Sequence, residues 1–544
     1  MTILFNVGSL YFCIFIQYYR VYKMSLQSSS VPVGISLVQI GSDKCCQRAF
    51  VNRTLWYRAS VFILTYAAYS CYHLSRKPIS VVKNVLNQNC SDVTPTPGVV
   101  INASNKSNWC DYAPFDGNNA ETLLGALDSA YLFSYAASMF LSGFVAERMN
   151  LRYFLAIGMI TSGIFSYLFG IAKSYEIHYL WYFIIVQILA GVVQSTGWPG
   201  VVTVVGNWFG KKKRGIIFGL WNSHTSVGNI LGSLIAGEYV EQDWSLSFIV
   251  PGILIAAMGF IIFLFLVSRP SDVNCPLPDQ VSPERPHPHG YERVSTEEPV
   301  EDDENEMVSD EELTRRPYRE DSPIISTHPV SEQPIGFIGA LRIPGVVEYS
   351  LSLFFAKLVS YTFLYWLPHY IKSSTTLSPA ESAQLSTLFD VGGIGGAIVA
   401  GGISDYTGMS ATTCSGMLLL TIPMMFLYED YGTNGFLTNV VLLILVGFLV
   451  NGPYALITTA VSADLGTHHS LEGNAKALAT VTAIIDGTGS IGAAVGPLLA
   501  GVVVNTGWEN VFYMLMVADV FSLLLLIRLV KREIQTTRSH RLIL

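Results

Sequence analysis

Charge is scarce in this chain. Of its 544 residues only 13% are Asp, Glu, Lys or Arg, while 51% are hydrophobic and the mean hydropathy is +0.42. No soluble core hides that much apolar surface, so the composition excludes an ordinary globular protein and indicates a polytopic membrane protein. Basic charge is in particularly short supply, with a net of −8 overall. Residues 281–321 alone hold fourteen acidic and five basic side chains, a net of −9 that leaves about +1 for everything else. The acidity belongs to one segment, and without a basic face a nucleic-acid partner is excluded.

Cysteine is sparse as well, and eight in a chain this long make no disulfide framework. Only Cys90 and Cys110 share a polar loop. A bridge between them requires that loop to face an oxidising compartment, which leaves the pairing open. His287 and His289 could touch a metal but read as an isolated, solvated pair, and His468 with His469 lacks metal-ligand spacing to any cysteine, so no metal is expected. The glycine clusters at 392–396 and 487–496 follow no strand and read as helix-packing surfaces rather than nucleotide loops; no cofactor is expected.

What is present is a series of apolar runs, each long enough to cross roughly 30 Å of hydrocarbon. They lie near 57–82, 121–146, 152–172, 179–206, 215–239 and 246–268, then near 346–372, 380–404, 411–428, 436–463, 473–503 and 508–530. Gly143-x-x-x-Glu147 after the second run and Gly401-x-x-x-Asp405 after the eighth stand 258 residues apart, as do Gly215 and Gly473. The reading is an all-α membrane protein of twelve spans in two six-helix halves related by a parallel repeat, with a cavity at their interface. Residues 1–55 form a tail, of which 1–23 are an alternative start or an extra apolar segment. Residues 56–268 are the first half with a polar loop at 83–119, 269–345 an acidic disordered linker, 346–530 the second half and 531–544 a second tail.

Orientation follows from two signals. Asn89, Asn102 and Asn105 each head a glycosylation sequon in the 83–119 loop, which marks a non-cytosolic face. Arg148, Arg152, the run 211–214, Arg528, Lys531 and Arg532 fall on the opposite side, as positive-inside topology expects. Both termini are then cytosolic.

The chemistry concentrates in Thr65–Ser80, where Arg76 and Lys77 interrupt a membrane-grade segment. A cation at the centre of a membrane helix costs about 2.5 to 3.5 kcal/mol on insertion scales, so it needs a function or a partner. Tyr69, His73, Arg76 and Lys77 fall at i, i+4, i+7 and i+8, a face able to hold an anion. Adjacent positions diverge by about 100° on a helix, so Arg76 suits the anion and Lys77 an acidic partner.

The Gly-x-x-x-Asp/Glu loops resemble the signature of the major facilitator superfamily. Gln194-Ser-Thr-Gly-Trp-Pro-Gly200, Trp208-Phe-Gly-Lys-Lys-Lys-Arg-Gly215 and Trp221-Asn-Ser-His-Thr-Ser-Val-Gly228 resemble its organophosphate:phosphate antiporters. His73-Leu-Ser-Arg-Lys-Pro-Ile-Ser80, the Phe355–Pro368 segment and Asp486-Gly-Thr-Gly-Ser-Ile-Gly492 are similar to the solute carrier 37 sugar phosphate exchangers, and the likeness runs from about residue 50 to 533 outside the linker.

The resemblance implies exchange of a phosphorylated sugar, chiefly glucose 6-phosphate with glycerol 3-phosphate as a second candidate, for inorganic phosphate. It implies the endoplasmic reticulum membrane, functional coupling to a luminal phosphatase and no enzymatic activity. Arg76 is the first-half phosphate cation. Lys357 is the second, because Ser360 stands at the family's basic position. Tyr69, Tyr72, His73, Asn222, His224, Tyr135, Tyr361 and Tyr454 are the other expected substrate contacts, although Thr225 occupies the family's histidine position. Lys77 and Asp390 are expected to form a gating salt bridge between the halves. Asp128 and Asp486 have no assigned role, and with Asp390 they support the alternative of a proton-coupled sugar or organic-anion carrier. A membrane phosphatase would need a nucleophile, base and anion clamp in one loop, which the chain lacks.

Overall fold

The computed structural model describes residues 31–37, 53–88, 90, 101–102, 106, 108–146, 148–209, 220–276, 337–466 and 475–543. Residues 1–30, most of the acidic linker, Asn89, Asn105, Glu147, residues 211–214, His468 and His469 lie outside the described residues. Regular structure among the described residues is helical throughout.

In the first half the helices are α1 Arg53–Arg76, α2 Pro78–Leu86, α3 Ala120–Ala146, α4 Leu151–Ser174, α5 Leu180–Gln194, α6 Gly197–Trp208, α7 His224–Val240 and α8 Leu246–Phe265. In the second half they are α9 Val346–Ser374, α10 Pro379–Thr407, α11 Ser410–Tyr431, α12 Phe436–Leu456, α13 Ala475–Val503 and α14 Trp508–Ile543. Among the described residues ten spans are long and apolar enough to cross a membrane by length and composition, counting α5 and α6 as one. The α1–α2 pair and α7 hold the positions of the first and fifth spans. The first is too polar to qualify, and α7 has only 17 described residues.

Several spans break at residues with chemistry. Pro78 lacks an N–H, so α1 ends at Arg76 and α2 restarts after Lys77. The fourth span breaks after Gln194, before Gly197 and Pro199. The tenth passes through a π-helical turn, Ile457–Val461, just beyond Pro453. Irregular backbone at membrane depth survives where protein surrounds it, which places these breaks inside the molecule rather than against lipid.

Two expected boundaries move. Lys83, read as the start of the polar loop, lies inside α2 and is fully buried; the helix runs to Leu86, and the loop begins at residue 87. The start of the expected linker is ordered too. Val273 and Cys275 are buried, while Trp208 and Asn207 donate to the carbonyls of Val267 and Ser268 at 2.8 and 3.1 Å.

At the end of the molecule next to loop 87–119 the halves are fastened together. His369 of α9 sits between Asn84 and Glu121, 2.9 Å from each. The Thr122 hydroxyl donates to Gly501 O at 3.3 Å, and Ala380 N donates to Glu241 at 3.2 Å. Gly125 and Gly501 let α3 and α13 touch: a Cβ on Gly125 would lie 3.3 Å from the Gly501 Cα.

Candidate functional site

Between the halves lies a narrow cavity. His73 of α1, Asn222 and Thr225 near the start of α7, Tyr361 of α9, Asp390 of α10 and Tyr454 of α12 are on its wall, so both halves contribute.

Arg76, in the last turn of α1, is 4% exposed. Its Nε donates to Gln194 Oε1 at 2.7 Å, and the same oxygen accepts from the Tyr131 hydroxyl at 2.5 Å. Gln194 Nε2 donates to Ser75 Oγ at 3.0 Å, which fixes the amide. The guanidinium lies over the Tyr135 ring, 4.7 Å from its centroid, yet Nη2 is buried without a partner. Most buried polar groups find one, so this guanidinium nitrogen keeps capacity for a further acceptor. Arg76, Gln194 and Tyr131 line a second, narrow cavity among first-half helices, which Tyr365 of the other half borders.

Lys357, the second-half candidate, already has a partner. Its Nζ donates to Asp486 Oδ1 at 2.6 Å and to Ser490 Oγ at 3.4 Å, with Tyr361 and Tyr454 rings 5.9 and 5.7 Å away. Those two rings place the lysine beside the first cavity. Ser360 instead donates to Asn451 Oδ1 at 2.8 Å.

The remaining expected residues divide into two groups. His73, Asn222, Tyr361 and Tyr454 line the cavity. Tyr72 bonds Thr196 at 3.1 Å inside the first half, and Tyr69 packs on Trp198. His224 is enclosed by Trp221 and Tyr69, with ring centroids 4.4 and 4.8 Å away, while its neighbour Thr225 reaches the cavity wall. One residue of helical offset separates these fates.

The expected ion pair between Lys77 and Asp390 is not formed. Lys77 donates across the interface to Leu364 O at 2.8 Å, because the break at Pro78 aims it at α9. Asp390 accepts from Asn229 Nδ2 at 2.8 Å, and Asn229 Oδ1 meets His73 Nδ1 at 3.1 Å. The halves are therefore joined here through an amide. In the loop, Cys90 and Cys110 are disulfide-bonded with Cα atoms 5.5 Å apart, and Asn102 is exposed.

Sequence reasoning missed a further buried ion pair, Lys83 with Asp128. Lys83 also donates to Tyr365 O at 3.2 Å and lies 4.1 Å from the Trp366 ring centroid, so this pair reaches the second half. The available signal was Asp128, the acid deeper inside α3, which needs a cation on a neighbouring helix.

The sequence profile described as Major Facilitator Superfamily matches residues 113–475. The mouse protein named glucose-6-phosphate exchanger SLC37A2 is 57% identical over 488 residues, covering 90% of this chain and 94% of that one. The chain belongs to solute carrier family 37 of the major facilitator superfamily. The human family member named glucose-6-phosphate exchanger SLC37A1 is 49% identical over 510 residues, covering 90% and 95% of the two chains. Among solved structures, a bacterial homologue of the human lysosomal transporter Spinster, inward-facing and unoccupied, covers 89% of this chain with a TM-score of 0.54 at 14% identity. At that identity it shows the major facilitator fold alone.

Proposed function

We propose that this chain exchanges a phosphorylated sugar, glucose 6-phosphate first, for inorganic phosphate across the endoplasmic reticulum membrane. The observation that carries the reading is the unpartnered Nη2 of buried Arg76, in a first-half cavity that Tyr365 of the second half borders. A buried cation without an anion is costly, and a planar guanidinium binds phosphate oxygens bidentately. The names carried by the relatives supply the substrate class.

Transport then proceeds by alternating access. The contacts of His369, Thr122, Ala380 and Lys83 close the side of loop 87–119, and they must part as the cavity turns toward that side. They are hydrogen bonds and a cation–ring contact, which can separate as a set without unfolding either half. Loop 87–119 faces the lumen and both termini the cytosol. A luminal phosphatase acting on the imported sugar phosphate would release the phosphate that this carrier returns.

Purified protein in liposomes tests the reading. Labelled phosphate should accumulate only when the vesicles are loaded with phosphate or sugar phosphate. Uptake into unloaded vesicles driven by a pH gradient would replace the exchanger with a proton-coupled carrier.

A further inference from the structure

The cavity between the halves has a wall that the cations leave unexplained. Neither Arg76 nor Lys357 is on it, and its polar side chains are amides, hydroxyls, an imidazole and one carboxylate. His73, Asn229 and Asp390 form one chain of bonds across the interface, at 3.1 and 2.8 Å. Ser360 and Asn451 form another, at 2.8 Å. Asn451 is 92% buried, being 8% exposed, and its Nδ2 has no partner. It lies over cavity-lining Gly393, where an added Cβ would come within 2.6 Å of that nitrogen, so the glycine leaves the amide its room.

A carboxylate repels phosphate, so this wall cannot serve the anionic end of a substrate. Its groups match hydroxyls instead: Asp390 accepts, the Asn451 amide donates, and a sugar hydroxyl does both. We infer that Asn229, Asp390, Ser360 and Asn451 form a polyol subsite that takes the hydroxyl-bearing ring of the sugar phosphate while the phosphoryl group sits at Arg76. This inference rests on the exchange reading. It fixes the substrate head to tail, and inorganic phosphate, having no ring, leaves these groups without the contacts that sugar hydroxyls make. A site that hydrogen-bonds substrate hydroxyls discriminates strongly, because its buried polar groups go unpaired with a ligand lacking them.

The test uses the full chain in liposomes and compares apparent KM for glucose 6-phosphate with that for phosphate. Asn451→Ala should lower the preference for glucose 6-phosphate over phosphate about tenfold, and Ser360→Ala should lower it in the same direction. Gln194→Ala, at the phosphoryl end, should raise both KM values together. If both affinities fall in parallel in the Asn451 and Ser360 variants, or neither falls, the subsite is overturned. Should Asn451→Ala fail to fold, Ser360→Ala decides, since it removes only a hydroxyl. Wild-type protein exchanging neither solute would instead sink the exchange reading itself.

Discussion

Lys357 Nζ stands 2.6 Å from Asp486 Oδ1, joining α9 to α13 with both side chains almost fully buried. The second-half cation is thus already neutralised, unlike Arg76, and an entering phosphate must share Lys357 with Asp486 or take it over. Breaking a buried pair by removing one partner typically costs about 3 to 5 kcal/mol. Lys357→Met should therefore lower thermal stability sharply, and Lys357→Met with Asp486→Asn should recover most of it. Exchange should stay at least a hundredfold down in the double variant, measured as phosphate counterflow. Recovered transport there would make Lys357 a structural residue.

Arg76 carries the stronger prediction. Arg76→Ala should abolish exchange at normal expression, and Arg76→Lys should retain charge but raise the phosphate KM at least tenfold, because a point charge does not reproduce the fork held by Gln194 and Tyr135. Near-normal kinetics in Arg76→Lys would show that only charge matters.

Closure on the side of loop 87–119 is expected to be an obligatory state of the cycle. Cysteines replacing Glu121 and His369, whose side chains meet at 2.9 Å, should be joined by a short cleavable thiol cross-linker. Transport should stop on cross-linking and return on reduction, with each single-cysteine variant unaffected by the reagent. Transport that continues through the cross-link would show that these contacts need not open.

Loop topology gives an independent check. Glycosidase should increase the gel mobility of the expressed protein, with Asn102→Gln removing part of the shift, and thiol labelling of intact microsomes should miss the bridged Cys90 and Cys110. Cys110→Ser frees a loop of 20-residue separation, and lost cross-linking of that length costs about 3 kcal/mol. A mobility unchanged by glycosidase would reverse the proposed orientation.

Much of this was legible because membrane sequences are written in contrasts. Arg76 and Lys77 stand out against apolar neighbours, and their directions diverge at the helix break before Pro78, one toward Gln194 and the other toward Leu364. Partners were less legible. Gln194, Asn229 and Asp486 stand more than a hundred residues from Arg76, His73 and Lys357, the groups they meet, and nothing local in the chain encodes that pairing. Lys83 was hidden for a different reason. It sits one turn from a polar loop and reads as part of it, until Pro78 is seen to restart a helix that carries the lysine inward to Asp128. Lys77 and Asp390 show the converse, since complementary charges at plausible positions are not joined when an amide such as Asn229 stands nearer.

The most direct measurement is dual-label exchange by the purified wild-type protein, following labelled glucose 6-phosphate into vesicles and differently labelled phosphate out of them. The two fluxes should be tightly linked in a fixed ratio, and both should be lost in Arg76→Ala. Sugar phosphate entry without phosphate exit, or linked fluxes that persist without Arg76, would contradict exchange at Arg76.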